Sequence, residues 1–388
     1  MKTVLRIISY LKPYWVRLTL VYAALAIGMA LCVMAFAVAA CGSDDNNSSS
    51  GTSSSSSGTA ASKAQKVGVL LPDTKSSVRW ETQDRPTFIA AFKKAGIPAT
   101  VVNAEGDAQR MRSQADQCLA NGAKVILMTS LDPGSGCAII KAATARKVRT
   151  IDYDRLNTGC KGANYYVSFD NTKVGKLMGQ GVKAAMTAKG LLGAGKKPVI
   201  AYLNGGPTDN NSKLFKNGYA GVLDPLIKSG KATKGPDQGV PAWDNQKART
   251  IFEQMLVSTS NKIDAVAAAN DGLANAVVTA LKAKKLKPIP LSGQDATAQG
   301  AQNIISGWQS GTVYKPAKVE APAAAALAVA LIKGGSPKVN GTTNNGVRNV
   351  PSVLTTPTWI TKANINLLYK DGQLKKSEVC VGSYKQYC

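Results

Sequence analysis

The sequence predicts a doubly wound α/β fold built on parallel sheets. From Lys66 onward, short apolar runs alternate with longer amphipathic stretches at intervals of roughly 25–35 residues, the signature of repeated strand–helix–strand units. The runs are mostly apolar on both faces, as strands buried between two layers of helices must be. A chain of 388 residues that is 44% hydrophobic has the material for two to three domains or one larger two-lobed unit.

Residues 1–40 read as an address. Lys2, Arg6, Lys12 and Arg17 precede an uncharged apolar stretch, Leu18–Ala40, which ends Val38-Ala39-Ala40-Cys41-Gly42. Small residues before a cysteine resemble a bacterial lipobox, in which the thiol of Cys41 is lipidated and everything upstream is cleaved; the competing reading is a retained transmembrane anchor. The charged segment before the apolar core is long for a signal peptide. Residues 41–65 then form a Ser-rich stretch with almost nothing apolar to bury, a solvated tether.

The strands expected next are Val67–Leu71, Thr100–Asn103, Val125–Thr129, Thr150–Tyr153, Tyr165–Phe169, Val199–Leu203, Ile263–Ala268, Ile289–Ser292 and Thr312–Tyr314. Helix periodicity marks Asp107–Asn121, Lys173–Lys189, Asn245–Ser258 and Ala274–Lys284. Polar residues fall where these strands end, at Asp73, Asp154-Arg155, Asp170-Asn171, Asn204, Asn270-Asp271, Gln294-Asp295 and Lys315. Ligands of open α/β sheets bind beyond the carboxyl ends of the strands. Asp and Asn also cap the helices that start there, but Arg and Lys cannot. A mixture of carboxylates, amides and guanidinium groups suits a ligand with many hydroxyls better than a phosphate or a metal.

Composition removes several chemistries. The absence of histidine excludes Ser-His-Asp and Cys-His nucleophile systems and His-ligated zinc. Gly190–Lys197 (GLLGAGKK) ends in lysine where a phosphate loop needs Ser or Thr, and it precedes a strand instead of following one, so it reads as a turn. No Gly-x-Gly-x-x-Gly follows the first strand. Asp152 and Asp154 alternate along one strand end and face opposite ways, a poor acid–base pair. An enzyme is not expected, nor a metal or cofactor.

Seven blocks in order then look familiar: Lys66–Trp80 (KVGVLLPDTKSSVRW), Asp152–Arg155 (DYDR), Tyr165–Asn171 (YYVSFDN), Pro207–Phe215 (PTDNNSKLF), Asn261–Gly272 (NKIDAVAAANDG), Ser292–Asp295 (SGQD) and Thr312–Pro316 (TVYKP). Together they resemble the xylose-binding proteins of bacterial ABC sugar importers, within the type I periplasmic-binding superfamily, from about residue 66 to about 360. The resemblance implies two doubly wound parallel-sheet lobes joined by a three-stranded hinge and closing on one sugar. It implies chain crossings near Asp170-Asn171, Gln294 and Lys315, hence an N-terminal lobe of 66–170 plus 296–314 and a C-terminal lobe of 171–295 plus 315–388. The ligand contacts it implies are Arg79, Trp80, Asp154, Arg155, Asp209, Asn211, Trp243, Asn270, Asp295 and Lys315.

The chemistry of those residues agrees. Trp80 and Trp243 offer flat apolar faces to the C–H faces of a pyranose, and both lie in polar contexts (VRWET and PAWDN) where a core tryptophan is less expected. Arg79 and Arg155 can fork two hydrogen bonds, while Asp154, Asp209 and Asp295 accept from hydroxyls. The partners expected are therefore a monosaccharide, D-xylose foremost, with glucose, ribose or arabinose as alternatives, and an ABC permease, or instead a signalling receptor. The chain is expected to act as a monomer, lipid-anchored through Cys41 at the extracytoplasmic face.

Two features lie outside the resemblance. Of seven cysteines, Cys32 leaves with the leader and Cys41 is lipidated, so an odd number remains. Cys380 and Cys388 flank a short loop, Cys137 and Cys160 follow adjacent strands, and Cys118 reads as a buried thiol; the pairing stays open. The second feature is charge: 48 Lys and Arg against 23 Asp and Glu, a net +25. Sugar-responsive repressors share this core but carry a helix-turn-helix domain before it, where this chain has a leader and tether. No nucleic-acid partner is expected, and the bases read as solvated faces that can draw the protein toward anionic headgroups.

Overall fold

The computed structural model describes residues 66–388. The leader, Cys41 and the Ser-rich segment lie outside the described residues. The first sheet grows from β1 (Lys66–Leu71), whose five inward residues from Val67 on are buried on both faces. It is flanked by β2 (Ala99–Asn103) and β3 (Ala123–Met128), and continues through β4 (Arg149–Tyr153) and β5 (Tyr165–Phe169), all parallel. Helices α1 (Arg85–Lys94), α2 (Ala108–Ala120) and α3 (Pro133–Ala145) return the chain each time. Gly68 lets α2 approach closely, because a Cβ there would stand 2.9 Å from the Cys118 sulfur. Cys118 is buried and unpaired.

The second lobe repeats the plan on a smaller sheet. Helix α4 (Asn171–Ala188) leads into β6 (Val199–Asn204), α5 (Asn210–Lys228) into β7 (Thr233–Gly239), and α6 (Asn245–Ser258) into β8 (Ala265–Ala268), followed by α7 (Asp271–Ala283). The strand order is β7-β6-β8, with Leu291 bridging Val266 in parallel. Ile289–Ser292 thus contributes one bridge instead of the full strand expected. Strand β7 escaped the sequence reading because TKGPDQG is polar and only partly buried, as an edge strand can be. Gly190–Lys197 is the loop between α4 and β6.

The assignment of segments to lobes needs correction. Helix α8 (Ala298–Ile305) and β9 (Thr312–Tyr314) were expected in the first lobe but lie with the second: β9 pairs with β12 (Thr358–Ile360), and α8 packs against α7. Conversely α9 (Ala317–Ile332), β10 (Gly341–Asn344) and β11 (Asn349–Thr355) belong to the first lobe. Strand β11 extends the first sheet beside β5 in parallel, β10 closes its edge antiparallel, and the whole order is β10-β11-β5-β4-β3-β1-β2. Ala321, Ala324, Ala325 and Ala328 press α9 onto Val67, Leu127 and Val167 of that sheet. The chain therefore crosses between lobes at 169–171, at 314–317 and at 355–358. The third crossing replaces the one expected at Gln294, which stays in the second lobe, bridged to Val313. The tail, including α10 (Asn366–Lys370) and α11 (Lys376–Val379), seals Ile304 and Ile305 of α8 with Ile365, Leu368 and Val379.

Both cysteine pairs are bridged. Cys137 at the start of α3 is joined to Cys160 across 6.2 Å between Cα atoms, and Cys380 to Cys388 across 6.0 Å.

Candidate binding site

The carboxyl ends of β1 and β4 face those of β6 and β8, and a narrow cavity lies between them. Nine of the ten residues expected at the site line it, joined by Ser76, Ser77, Phe215 and Gln294. Local structure aims each one. Asp154 follows β4 with φ at +61°, a left-handed conformation, and its N–H donates to the Val167 carbonyl at 2.8 Å. Asp209 and Asn270 cap α5 and α7 through one side-chain oxygen each, accepting from Asn211 N and Leu273 N at 2.9 Å. Capping and facing the cavity are thus one arrangement at these positions. Trp243 sits in a tight turn with φ at +58°, uncommon for a bulky residue and typical of sites where function over-determines the backbone. Its indole N–H donates to Asp209 Oδ2 at 3.2 Å, and a Cβ on Gly205 would collide with its ring.

The two lobes meet through these groups. Asn211 of the second lobe donates to the backbone oxygen of Asp154 at 2.8 Å and to its Oδ1 at 3.0 Å. Arg155 lies 3.1 Å from Asp209 Oδ2 and donates to Ser76 Oγ at 3.2 Å. Asn270 donates to the Ser76 carbonyl at 2.9 Å. Lys315, at the second crossing, stands between the lobes' carboxylates, 3.5 Å from Asp154 and 3.4 Å from Asp295. Trp80 closes the first-lobe side, its N–H donating to Ser76 Oγ at 3.1 Å.

Burial and pairing compete in setting the charges. Burial alone would push the Asp154 carboxyl up, but Lys315, Arg79 and Arg155 together hold it below the usual range. Burial would lower Lys315, yet Asp154 and Asp295 raise it above the ordinary lysine value, so it stays a cation. Asp209 is shifted upward, by burial first and by Asp154, against the pull of Arg155. Asp152 is pushed up to about 7 by burial; it faces away from the cavity, where its oxygens accept from Asn157 N and Nδ2 at 2.8 and 2.7 Å.

Arg79 is the residue the structure does not bring to the cavity wall. It is 1% exposed and lies behind the wall, its guanidinium carbon 4.4 Å from the Trp80 ring centroid. Its donors go to Asp84, Glu320 and Asp154. Sequence reasoning passed over Glu320 and Asp84, although a lone acid in the apolar stretch AKVEAPAAAALAVALI was a visible signal. Phe215 and Ser76 carried no distinguishing signal.

Residues 67–336 match the periplasmic binding protein domain family. The chain belongs to the periplasmic binding proteins. It is 35% identical to the D-xylose-binding periplasmic protein of Escherichia coli (strain K12) over 322 residues, 82% of this chain and 94% of that protein. Among solved structures, an ABC transporter solute-binding protein from Clostridium phytofermentans with bound β-D-glucose superposes with a TM-score of 0.76 at 28% identity, covering 81% of this chain and all of that one. A carbohydrate transporter solute-binding protein from Chloroflexus aurantiacus, in complex with D-glucose, does so at 0.73 and 28%, covering 81% of this chain and 98% of that one. Periplasmic binding proteins capture a ligand and do not transform it. In this periplasmic binding protein the two lobes and their three crossings make the family's type I fold.

Proposed function

We propose that this binding protein captures a monosaccharide, D-xylose foremost, between its closing lobes and delivers it to an ABC importer. The observation that carries the reading is the composition of the cavity. Buried carboxylates (Asp154, Asp209, Asp295), amides (Asn211, Asn270) and cations (Arg155, Lys315) converge from both lobes between two indoles, Trp80 and Trp243. A pyranose presents apolar C–H faces to the indoles and, around its edge, hydroxyls that both donate and accept. Because the groups come from both lobes, a sugar that bonds all of them favours the closed arrangement over the open one. The glucose complexes of the two solved relatives favour a second reading, a hexose ligand, at the same site. Titration calorimetry of the unit from Ala61 onward, which holds its own hydrophobic cores, separates them. One-to-one binding of D-xylose tighter than that of glucose, ribose, arabinose and galactose is expected. Preference for glucose selects the hexose reading, and silence with every sugar rejects both.

Small residues before Cys41, and the Ser-rich run after it, support lipid anchorage at the extracytoplasmic face. Cys41→Ser in the producing cell is expected to release the mature protein or leave it unprocessed. Membrane retention of a cleaved Cys41→Ser form would show that the thiol is not the anchor.

A further inference from the structure

Glu320 lies on α9, far in sequence from every other group it touches, yet it is fully buried beside the site. Its Oε2 accepts from Arg79 Nη2 at 2.6 Å. Asp84 grips the same guanidinium by its other edge, accepting from Nε and Nη2 at 2.9 Å each, and is itself bonded by the Tyr153 hydroxyl. Two acids on two elements thus fix the plane and the rotation of the Arg79 guanidinium. What remains of Arg79 points toward the cavity wall: Nη1 donates to Asp154 Oδ2 at 3.2 Å, and the cation backs the Trp80 ring.

We propose that Glu320 is a positioning residue of the sugar site, clamping Arg79 so that Arg79 in turn holds the Asp154 carboxylate and the Trp80 indole in their binding orientations. The inference rests on the monosaccharide reading of the cavity. Three observations support it. Arg79 has its donors turned to Asp84, Glu320 and Asp154, so its influence on a ligand runs through the groups it holds. Asp154 takes its direction from Arg79 behind the wall and from Lys315 beside it on the wall, while its Oδ1 faces Asn211 of the other lobe. Glu320 itself follows the 314–317 crossing by one helical turn, so the clamp stands at the root of the hinge segment that also carries Lys315. The other Glu320 oxygen, Oε1, is buried without a hydrogen-bond partner, and burial pushes the carboxyl up to about 8, against the pull of Arg79.

The test is the sugar dissociation constant of Glu320 variants, measured with and without Arg79. Glu320→Gln keeps an acceptor oxygen near Nη2 and is expected to stay within about threefold of wild type, while Glu320→Leu removes it and should weaken binding about tenfold or more. In an Arg79→Met background the same Glu320→Leu change should shift affinity by less than about twofold, since the clamp then has nothing to hold. Wild-type affinity in Glu320→Leu, or its full loss persisting beside Arg79→Met, would overturn the proposal. Should Glu320→Leu fail to fold, Glu320→Asp keeps the carboxyl and withdraws its oxygens by one methylene; a several-fold weaker constant is expected, and an unchanged one overturns the proposal. A wild-type protein that binds no sugar defeats the monosaccharide reading together with this one, whereas binding that ignores Glu320 defeats this one alone.

Discussion

Lys315→Met is expected to weaken sugar binding by about two to four orders of magnitude, from the roughly 3–5 kcal/mol that follows when a buried ion pair loses one partner. Lys315 is 4% exposed and is the cation that touches carboxylates of both lobes, Asp154 at 3.5 Å and Asp295 at 3.4 Å. Removing its charge leaves two buried acids facing each other across the cleft. Closure then drives like charges together, so the cost falls on the closed, ligand-holding arrangement more than on the folding of either lobe. Methionine preserves most of the aliphatic stem and so isolates the charge. Calorimetric titration with D-xylose, beside thermal melts of the ligand-free protein, checks this. A dissociation constant within about twofold of wild type would remove Lys315 from the ligand's electrostatic environment. Lys315→Arg should recover only part of the loss, because a planar fork does not fit where a compact ammonium sits between two oxygens.

Trp243→Ala has the second largest expected effect, and it acts on both stability and affinity. The ring is 5% exposed and stands edge-on to Phe215 at 6.3 Å between centroids, over Gly205 and Gly206, which leave room for it by having no Cβ. Truncating a tryptophan in such a setting costs roughly 3–5 kcal/mol of folding stability through the cavity it leaves. Loss of the stacking face should cost a further ~1–2 kcal/mol of sugar affinity, and the freed Asp209 carboxylate loses the indole donor that orients it. Trp243→Phe keeps an aromatic face without the donor and is expected to fall between. Melting temperature and dissociation constant measured on all three proteins separate the two contributions. A destabilised Trp243→Ala that binds sugar as tightly as wild type would confine the ring to packing.

The cavity-lining residues at the strand ends were legible because what marks them is local. A strand buried on both faces must be apolar along its length, so a polar residue at its carboxyl end stands out, and Asp154, Asn270, Asp295 and Lys315 were found that way. Arg79 shows where this reasoning stops. Arg79 was expected as a ligand contact because the resemblance places it beside Trp80 in the loop after the first strand. Its donors are claimed by Glu320, 241 residues away in sequence, and no local pattern announces that meeting.

Periodicity and strand-end polarity, properties of a dozen neighbouring residues, determined the fold class and the strand-end part of the cavity's lining, while Trp80, Asp209, Asn211 and Trp243 came with the family resemblance. The tertiary structure decided which lobe each late segment joins. Strand β11 reaches the first sheet by pairing with β5, whereas β9 pairs with β12 in a two-stranded sheet of its own and is tied to the second lobe through the Gln294–Val313 bridge. Backbone hydrogen bonds of a sheet edge are the same whatever side chains flank them, so the choice of lobe follows from burial: α9 packs its alanines onto the first sheet, and α8 packs Ala301, Ile304 and Ile305 with Tyr314 of β9 and Ile360 of β12. That choice moved the third crossing from Gln294 to 355–358 and placed Glu320 against Arg79 behind the interlobe cavity, where only the folded chain could bring it.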